Sequence, residues 1–159
     1  PGGVLLREEH DIVYREASPG GDGRQNEKSG APPAKSAPAP QDAAWTRTIV
    51  PDPVMLFRYS ALTFNGHRIH YDQPYATKVE GYPGLVVHGP LIATLLMDLL
   101  RREKPDARLT RFEFRALSPL FDTAPFALQG RPGADGKTAE VWAKTPDGAL
   151  AMTANAVFG

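Results

Sequence analysis

Between residues 90 and 103, Leu91, Ile92, Leu95, Leu96, Leu99 and Leu100 recur at helical spacing and cover most of a helix's circumference. A helix apolar nearly all round is predicted to lie buried. Arg101 and Arg102 near its C-terminal end complement the helix dipole, and Pro105 stops it. The period then changes. Across residues 109–117, Arg111, Glu113 and Arg115 alternate with Phe112, Phe114 and Ala116, the two-residue period of a half-buried strand. Further strands are predicted over 125–130, 138–144 and 150–158. Their turns are Pro132, Gly133, Asp135 and Gly136, then Pro146, Asp147 and Gly148. The last three strands read as a meander, and a sheet wrapped around one long helix makes an α+β domain.

Upstream, the pattern is more broken. Residues 45–50 read as a strand ending at Pro51 and Pro53. The stretch 54–62, with Met55, Phe57 and Tyr59, is amphipathic, and its type stays open between strand and short helix. Asp72 is placed to cap a turn of helix beginning near Pro74, with Tyr75 and Ala76 following. Residues 18–42 hold no aliphatic side chain larger than Ala, too little to offset their ordering entropy, and are predicted to be a flexible Pro/Ala/Gly linker. Ahead of it, residues 4–16 carry short apolar stretches suited to a strand. Because the chain opens at Pro1 without an initiator Met, residues 1–17 are expected to be the C-terminal strand remnant of an earlier domain, and residues 43–159 the folded unit.

Composition narrows the functional classes. Formal charge sums to zero, so no net field gathers nucleic acid or an anionic membrane, and neither is an expected partner. No apolar run approaches the roughly 20 residues that span a bilayer. With no cysteine there are no disulfides, thiolate nucleophiles or Cys-based zinc sites. That is compatible with a reducing cytosol, and a cytoplasmic location is expected.

Three of the four histidines fall between Tyr59 and Leu91, in Tyr-Ser-Ala-Leu-Thr-Phe-Asn-Gly-His-Arg-Ile-His-Tyr-Asp-Gln-Pro-Tyr-Ala and then Val-Val-His-Gly-Pro-Leu. A titratable imidazole, a nearby amide and a glycine opening an apolar helix are parts that an enzyme adding or removing water requires. This order, followed by a long helix and strands, resembles the hot-dog fold of the MaoC-like (R)-specific enoyl-CoA hydratases and dehydratases. The phrase Phe-Arg-Tyr-Ser-Ala-Leu-Thr-Phe-Asn-Gly-His-Arg-Ile-His-Tyr-Asp is most similar to the mesaconyl-CoA (methylfumaryl-CoA) hydratases and the fungal mitochondrial 3-hydroxyacyl-thioester dehydratases. The resemblance covers the chain from about Trp45 to its end.

It implies reversible hydration of a trans-2-enoyl thioester, mesaconyl-CoA-like in one version, carried by coenzyme A or acyl-carrier protein, with no cofactor. In the family motif an Asp stands five residues before the catalytic His; His70 matches the His, and Asn65 stands in place of the Asp. An amide holds water but cannot take its proton, so His70 is expected to be the sole base, with Asp72 as a candidate to orient it. The Gly89 N–H, heading the long helix, is expected to receive the developing enolate oxygen. His88, Arg68 and Tyr75 are the expected substrate-binding groups. For His88 the alternative is a backbone hydrogen bond that holds the loop, for Arg68 a surface ion pair, and for Asn65 a turn. His67 is read as a turn residue, and His10 has no role. A His67, His70 and Asp72 metal site is the minor reading. Arg101, Arg102 and Lys104 suit either coenzyme A phosphates or a solvated helix end, and Arg58 is a second candidate for a substrate carboxylate. Because hot-dog sheets and helices pair, a homodimer is expected, or a double hot-dog with the first half missing. The competing class is a non-catalytic hot-dog module that binds acyl-CoA or only dimerises.

Overall fold

The computed structural model describes residues 3–12 and 37–159. Helix α3, Gly89–Glu103, lies against a five-stranded antiparallel sheet ordered β1-β3-β4-β5-β2. The strands are β1 Trp45–Ile49, β2 Leu109–Ala116, β3 Phe126–Pro132, β4 Thr138–Lys144 and β5 Leu150–Phe158. The β3–β4–β5 meander is present, and α3 packs on those three strands. Leu91, Ile92, Leu96, Leu99 and Leu100 meet Leu128, Val141 and Met152 in one buried cluster. Alanines at 139, 143, 151, 154 and 156 share it, and such short side chains let the helix approach the sheet closely. Each large apolar side chain buried here contributes about 1.5–3 kcal/mol. This is the α+β hot-dog arrangement.

Two expectations change. The alternation on β2 predicts Phe112, Phe114 and Ala116 facing the core, yet Phe114 is 45% exposed and Ala116 is exposed. As an edge strand, β2 runs outside the part of the sheet that α3 covers, so of these three only Phe112 packs against the core, with Leu109 at the start of the strand. The second change is the start of the folded unit. Residues 37–42, assigned to the linker, dock on the β4–β5 turn through Ala39 N–H to Gly148 O (3.0 Å) and Leu150 N–H to Ala37 O (2.9 Å). Backbone pairing does this with almost no apolar side-chain help, which composition cannot reveal. Most of the predicted linker lies outside the described residues. Residues 3–12 carry no regular secondary structure, and Val4, Leu5 and Leu6 are exposed; the rest of the expected strand remnant lies outside the described residues.

The open question at 54–62 resolves as helix α1, Pro53–Leu62. Asp52 caps it, accepting from Val54 N–H and Met55 N–H, and Pro53 sits where a missing N–H costs nothing. Leu56 and Ser60, one turn apart, face inward. Asn65 N–H closes back on Ser60 O, and Phe64 takes the left-handed conformation at φ 53°. A single turn of 3₁₀ helix, Arg68–His70, leads to α2, Gln73–Lys78, capped by Asp72 through Tyr75 N–H as expected.

Candidate active site

Four pieces of backbone converge at the start of α3. Residues 85–87 form a short extended segment: Val86 bridges Phe121, Val87 N–H donates to Leu120 O, and Val86 N–H donates to Ile69 O. Gly84, just before it, has no room for a side chain, since a Cβ would fall 2.4 Å from Asp122 Oδ1. That segment presents the Val86 carbonyl to the 3₁₀ turn, where His70 Nδ1 donates to it at 2.7 Å. The bond sets the tautomer, leaving a lone pair on Nε2. Nε2 has no partner among the described residues, and it is not sealed off: the buried side-chain nitrogen lacking a partner there is His88 Nδ1.

His70 is 8% exposed and lies flat on His88, ring centroids 3.8 Å apart and planes 18° from parallel. His88 is wholly buried. Its Nε2 is 2.8 Å from Ser60 Oγ on α1, and Tyr59 meets its ring edge-on at 4.8 Å. His67 stands edge-on to His70 at 5.5 Å. Burial pushes the His70 pKa below its ordinary value, against the opposing pull of the Val86 carbonyl, with a smaller push from His67. Burial, followed by the His70 charge, lowers His88 to about 4. Both rings are neutral at pH 7.

Next to His88 the backbone is left open. No side chain caps α3, and a Cβ built on Gly89 would meet nothing within 4 Å. Open space therefore adjoins Gly89, the first residue of the helix, at the positive end of its dipole. A cleft of 480 Å³ opens beside it, its lining including Asp52 and Arg58 as charged groups with Met55, Leu62 and Leu91, and Tyr59 forming a wall common to cleft and histidine stack.

The remaining expected residues are placed differently. Asn65 Oδ1 accepts from His67 N–H at 3.0 Å, so its carbonyl makes a turn, while its amide NH₂ has no partner among the described residues. Arg68 is held by Asp72 through Nε (3.0 Å) and Nη2 (2.7 Å), and lies 4.1 Å over the Tyr75 ring. Tyr75 in turn donates to Glu80 at 2.7 Å. These groups form a surface chain; Asp72 orients Arg68, and the Val86 carbonyl takes the part of orienting His70. The His88 ring, expected among the substrate contacts, is turned to Ser60 and His70. Among the described residues no three His, Asp or Glu side chains gather to hold a metal ion. Arg101 and Arg102 pair with Asp98. Ser60, Tyr59 and Val86 were not singled out from sequence. Ser60 had a signal, a hydroxyl one turn after Leu56 on the inward stripe of α1, whereas Val86 acts through its carbonyl and had none.

Comparison with known proteins supplies context for this geometry. The family described as hydroxyacyl-thioester dehydratase type 2 matches residues 1–122. The chain is 53% identical over 159 residues to the mesaconyl-C(4)-CoA hydratase of Chloroflexus aurantiacus, a match that covers 98% of this chain and 51% of that protein. It is 46% identical over 96 residues to the mitochondrial hydroxyacyl-thioester dehydratase type 2 of Schizosaccharomyces pombe, covering 59% of this chain and 31% of that one. The chain thus spans about half the length of the first relative and less of the second. Among solved structures, the (R)-hydratase from A. caviae aligns with a TM-score of 0.62 at 21% identity, over 72% of this chain and 91% of that one. A MaoC-like dehydratase from Phytophthora capsici aligns with a TM-score of 0.64 at 18% identity, over 80% and 45%. These structures share the fold.

Proposed function

The chain belongs to the hydroxyacyl-thioester dehydratase type 2 family, and on that premise we propose that it reversibly adds water across the double bond of a trans-2-enoyl thioester. One observation carries the reading: His70, oriented by the Val86 carbonyl with Nε2 unpartnered, stacks on the residue that precedes the open Gly89 amide.

In the hydration direction, the thioester carbonyl oxygen accepts from the Gly89 N–H, where the helix dipole favours the charge that develops as the enolate forms. Water held by the Asn65 NH₂ gives a proton to His70 Nε2 as its oxygen bonds to C3. The imidazolium then returns that proton to C2, so one residue serves as base and acid. Dehydration reverses each step. The cleft along α1 receives the acyl group. Arg58 lines it and has no ion pair among the described residues, and the other charged group there, Asp52, is engaged as the α1 cap, so Arg58 is available to a substrate carboxylate, while Arg68 is already held by Asp72. A short dicarboxylic acyl group such as mesaconyl is therefore the favoured substrate class, with coenzyme A or acyl-carrier protein as carrier.

We further propose that the domain works paired, as a homodimer or against a second hot-dog domain. Supporting this, β2 is an edge strand, and Phe57, Leu62 and Phe64 on and after α1 are 59%, 80% and 96% exposed. Sedimentation equilibrium over a concentration series checks it, and a monomer throughout would leave only the second arrangement.

The activity is tested by following loss of enoyl-thioester absorbance with crotonyl-CoA and mesaconyl-CoA. Turnover is expected, faster with mesaconyl-CoA. Saturable binding without turnover would make the domain a non-catalytic acyl-thioester-binding module instead.

A further inference from the structure

Ser60 and His88 are buried polar side chains that the mechanism above does not use. Their atoms are 2.8 Å apart, and the direction of that hydrogen bond can be derived. If His88 Nε2–H donated to Ser60 Oγ, two buried groups would be left without partners: the Ser60 O–H and the His88 Nδ1 lone pair. If instead the Ser60 O–H donates to Nε2, the His88 Nδ1–H and the Ser60 lone pairs are left over. Each direction strands one donor and one acceptor, so the bond itself decides: an imidazole lone pair is a stronger acceptor than a hydroxyl oxygen, and 2.8 Å suits an O–H donor better than an N–H donor. The second arrangement also forbids a cation at His88, because a protonated ring would need acceptors at both nitrogens and finds none at Nδ1.

We propose that Ser60 and His88 form a positioning pair: the Ser60 hydroxyl locks His88 as the neutral Nδ1–H tautomer, and the locked ring is the plate on which His70 is held in working orientation. His70 is then fixed twice, in its plane by the Val86 carbonyl and across its face by His88. The pair is not a nucleophile and its base. Ser60 is 4% exposed, and no carboxylate or carbonyl receives His88 Nδ1–H to support proton abstraction from the hydroxyl. The groups facing the stacked rings are Tyr59 and Ser60 from α1 and His67 from the turn before the 3₁₀ helix, and none carries a fixed charge. Of the two stacked rings, it is therefore His70 that can take a proton.

The inference rests on His70 being the base, so its test has an arm that does not depend on activity. Nitrogen-15 NMR of the histidine rings in the full chain is expected to show both His70 and His88 with Nδ1 protonated and Nε2 bare. That is the less common tautomer in water. His88 should stay neutral through pH 5. In Ser60→Ala, His88 is expected to shift towards the Nε2–H form while His70 keeps its Val86 bond. Turnover should fall about tenfold with KM within about twofold, less than the roughly hundredfold that an ångström of misplacement can cost. Ser60→Thr, which returns the hydroxyl, should restore the His88 tautomer. A wild-type His88 found as Nε2–H, or titrating near pH 6.5, overturns the proposal, as does unchanged turnover in a folded Ser60→Ala. Should the wild type show the expected tautomers but turn over no thioester, the pair stands and the hydratase reading falls.

Discussion

The two ends of α3 are finished in opposite ways. At its C-terminal end Asp98 is held by Arg47 at 2.6 Å, Arg102 at 2.7 Å and Arg101 at 3.2 Å, and Lys104 Nζ donates to Gly136 O at 2.6 Å. These arginines keep the Asp98 carboxyl at a pKa of about 2. At its N-terminal end there is no side-chain cap, no acidic residue in the first turn, and open space at Gly89 beside two neutral histidines. One helix thus carries a satisfied end, which ties it to β1 and the β3–β4 turn, and an unsatisfied end, whose free amides and dipole are available to a ligand. The contrast separates stability from chemistry along a single element.

That separation can be broken most decisively at His70. His70→Ala should reduce enoyl-thioester turnover by roughly a hundredfold or more, because it removes the only positioned base, while the circular dichroism spectrum stays that of the folded chain and Tm falls by only a few degrees for the lost Val86 bond. Retention of wild-type turnover would remove the chemistry from this end of the helix. A smaller effect is expected at Gly89→Ala. The added methyl meets no protein atom and favours helix, so Tm should hold or rise slightly, yet it occupies the space where the carbonyl oxygen must sit. Turnover about tenfold lower with unchanged Tm is the expected pair of results.

Acid should act on the N-terminal end first. His70 and His88 bind protons less readily folded than unfolded, so between pH 6.5 and about 4 the unfolded chain takes up protons that the folded one refuses. Stability must therefore fall as pH drops through that window. Urea midpoints measured from pH 7 to pH 4 would show it, and a flat profile would contradict two buried neutral rings. The catalytic acid limb, set by His70 taking a proton, should lie below pH 6.5.

The smallest effect belongs to the other end. Asp98→Asn should lower Tm by a few degrees, about 1 kcal/mol, since its partners are partly exposed, and leave turnover unchanged. The Asp98 carboxyl is depressed, so its contribution is present above its unfolded pKa near 3.8 and is lost as pH falls toward about 2. A loss of turnover without loss of stability in Asp98→Asn would reverse the comparison.

Much of the fold was legible because its periods are strong. The six-residue apolar pattern of α3 and the strands at 138–144 and 150–158 stand where the spacing placed them. The outer face of β2 did not follow its own alternation, because α3 does not reach the sheet edge; nothing within that strand records the limits of a helix elsewhere in the chain. In the site, His70 and Gly89 were legible as residue types in a suggestive order, whereas the assignment of Asp72 as an orienter came from closeness in sequence. Four residues before it, Arg68 offered a stronger partner on the same surface.

Hydrophobic spacing alone determined that a buried helix lies within an antiparallel sheet, since apolar periodicity dictates which faces must leave water. The order of histidine, amide and glycine likewise determined which chemistry to look for. Tertiary packing decided what each histidine does. Sixteen residues separate His70 from Val86 and twenty-eight separate Ser60 from His88, and only folding sets a carbonyl against one ring and a hydroxyl against the other. Tautomer, burial and proton affinity are properties of those contacts, and the contacts do not exist in the unfolded chain.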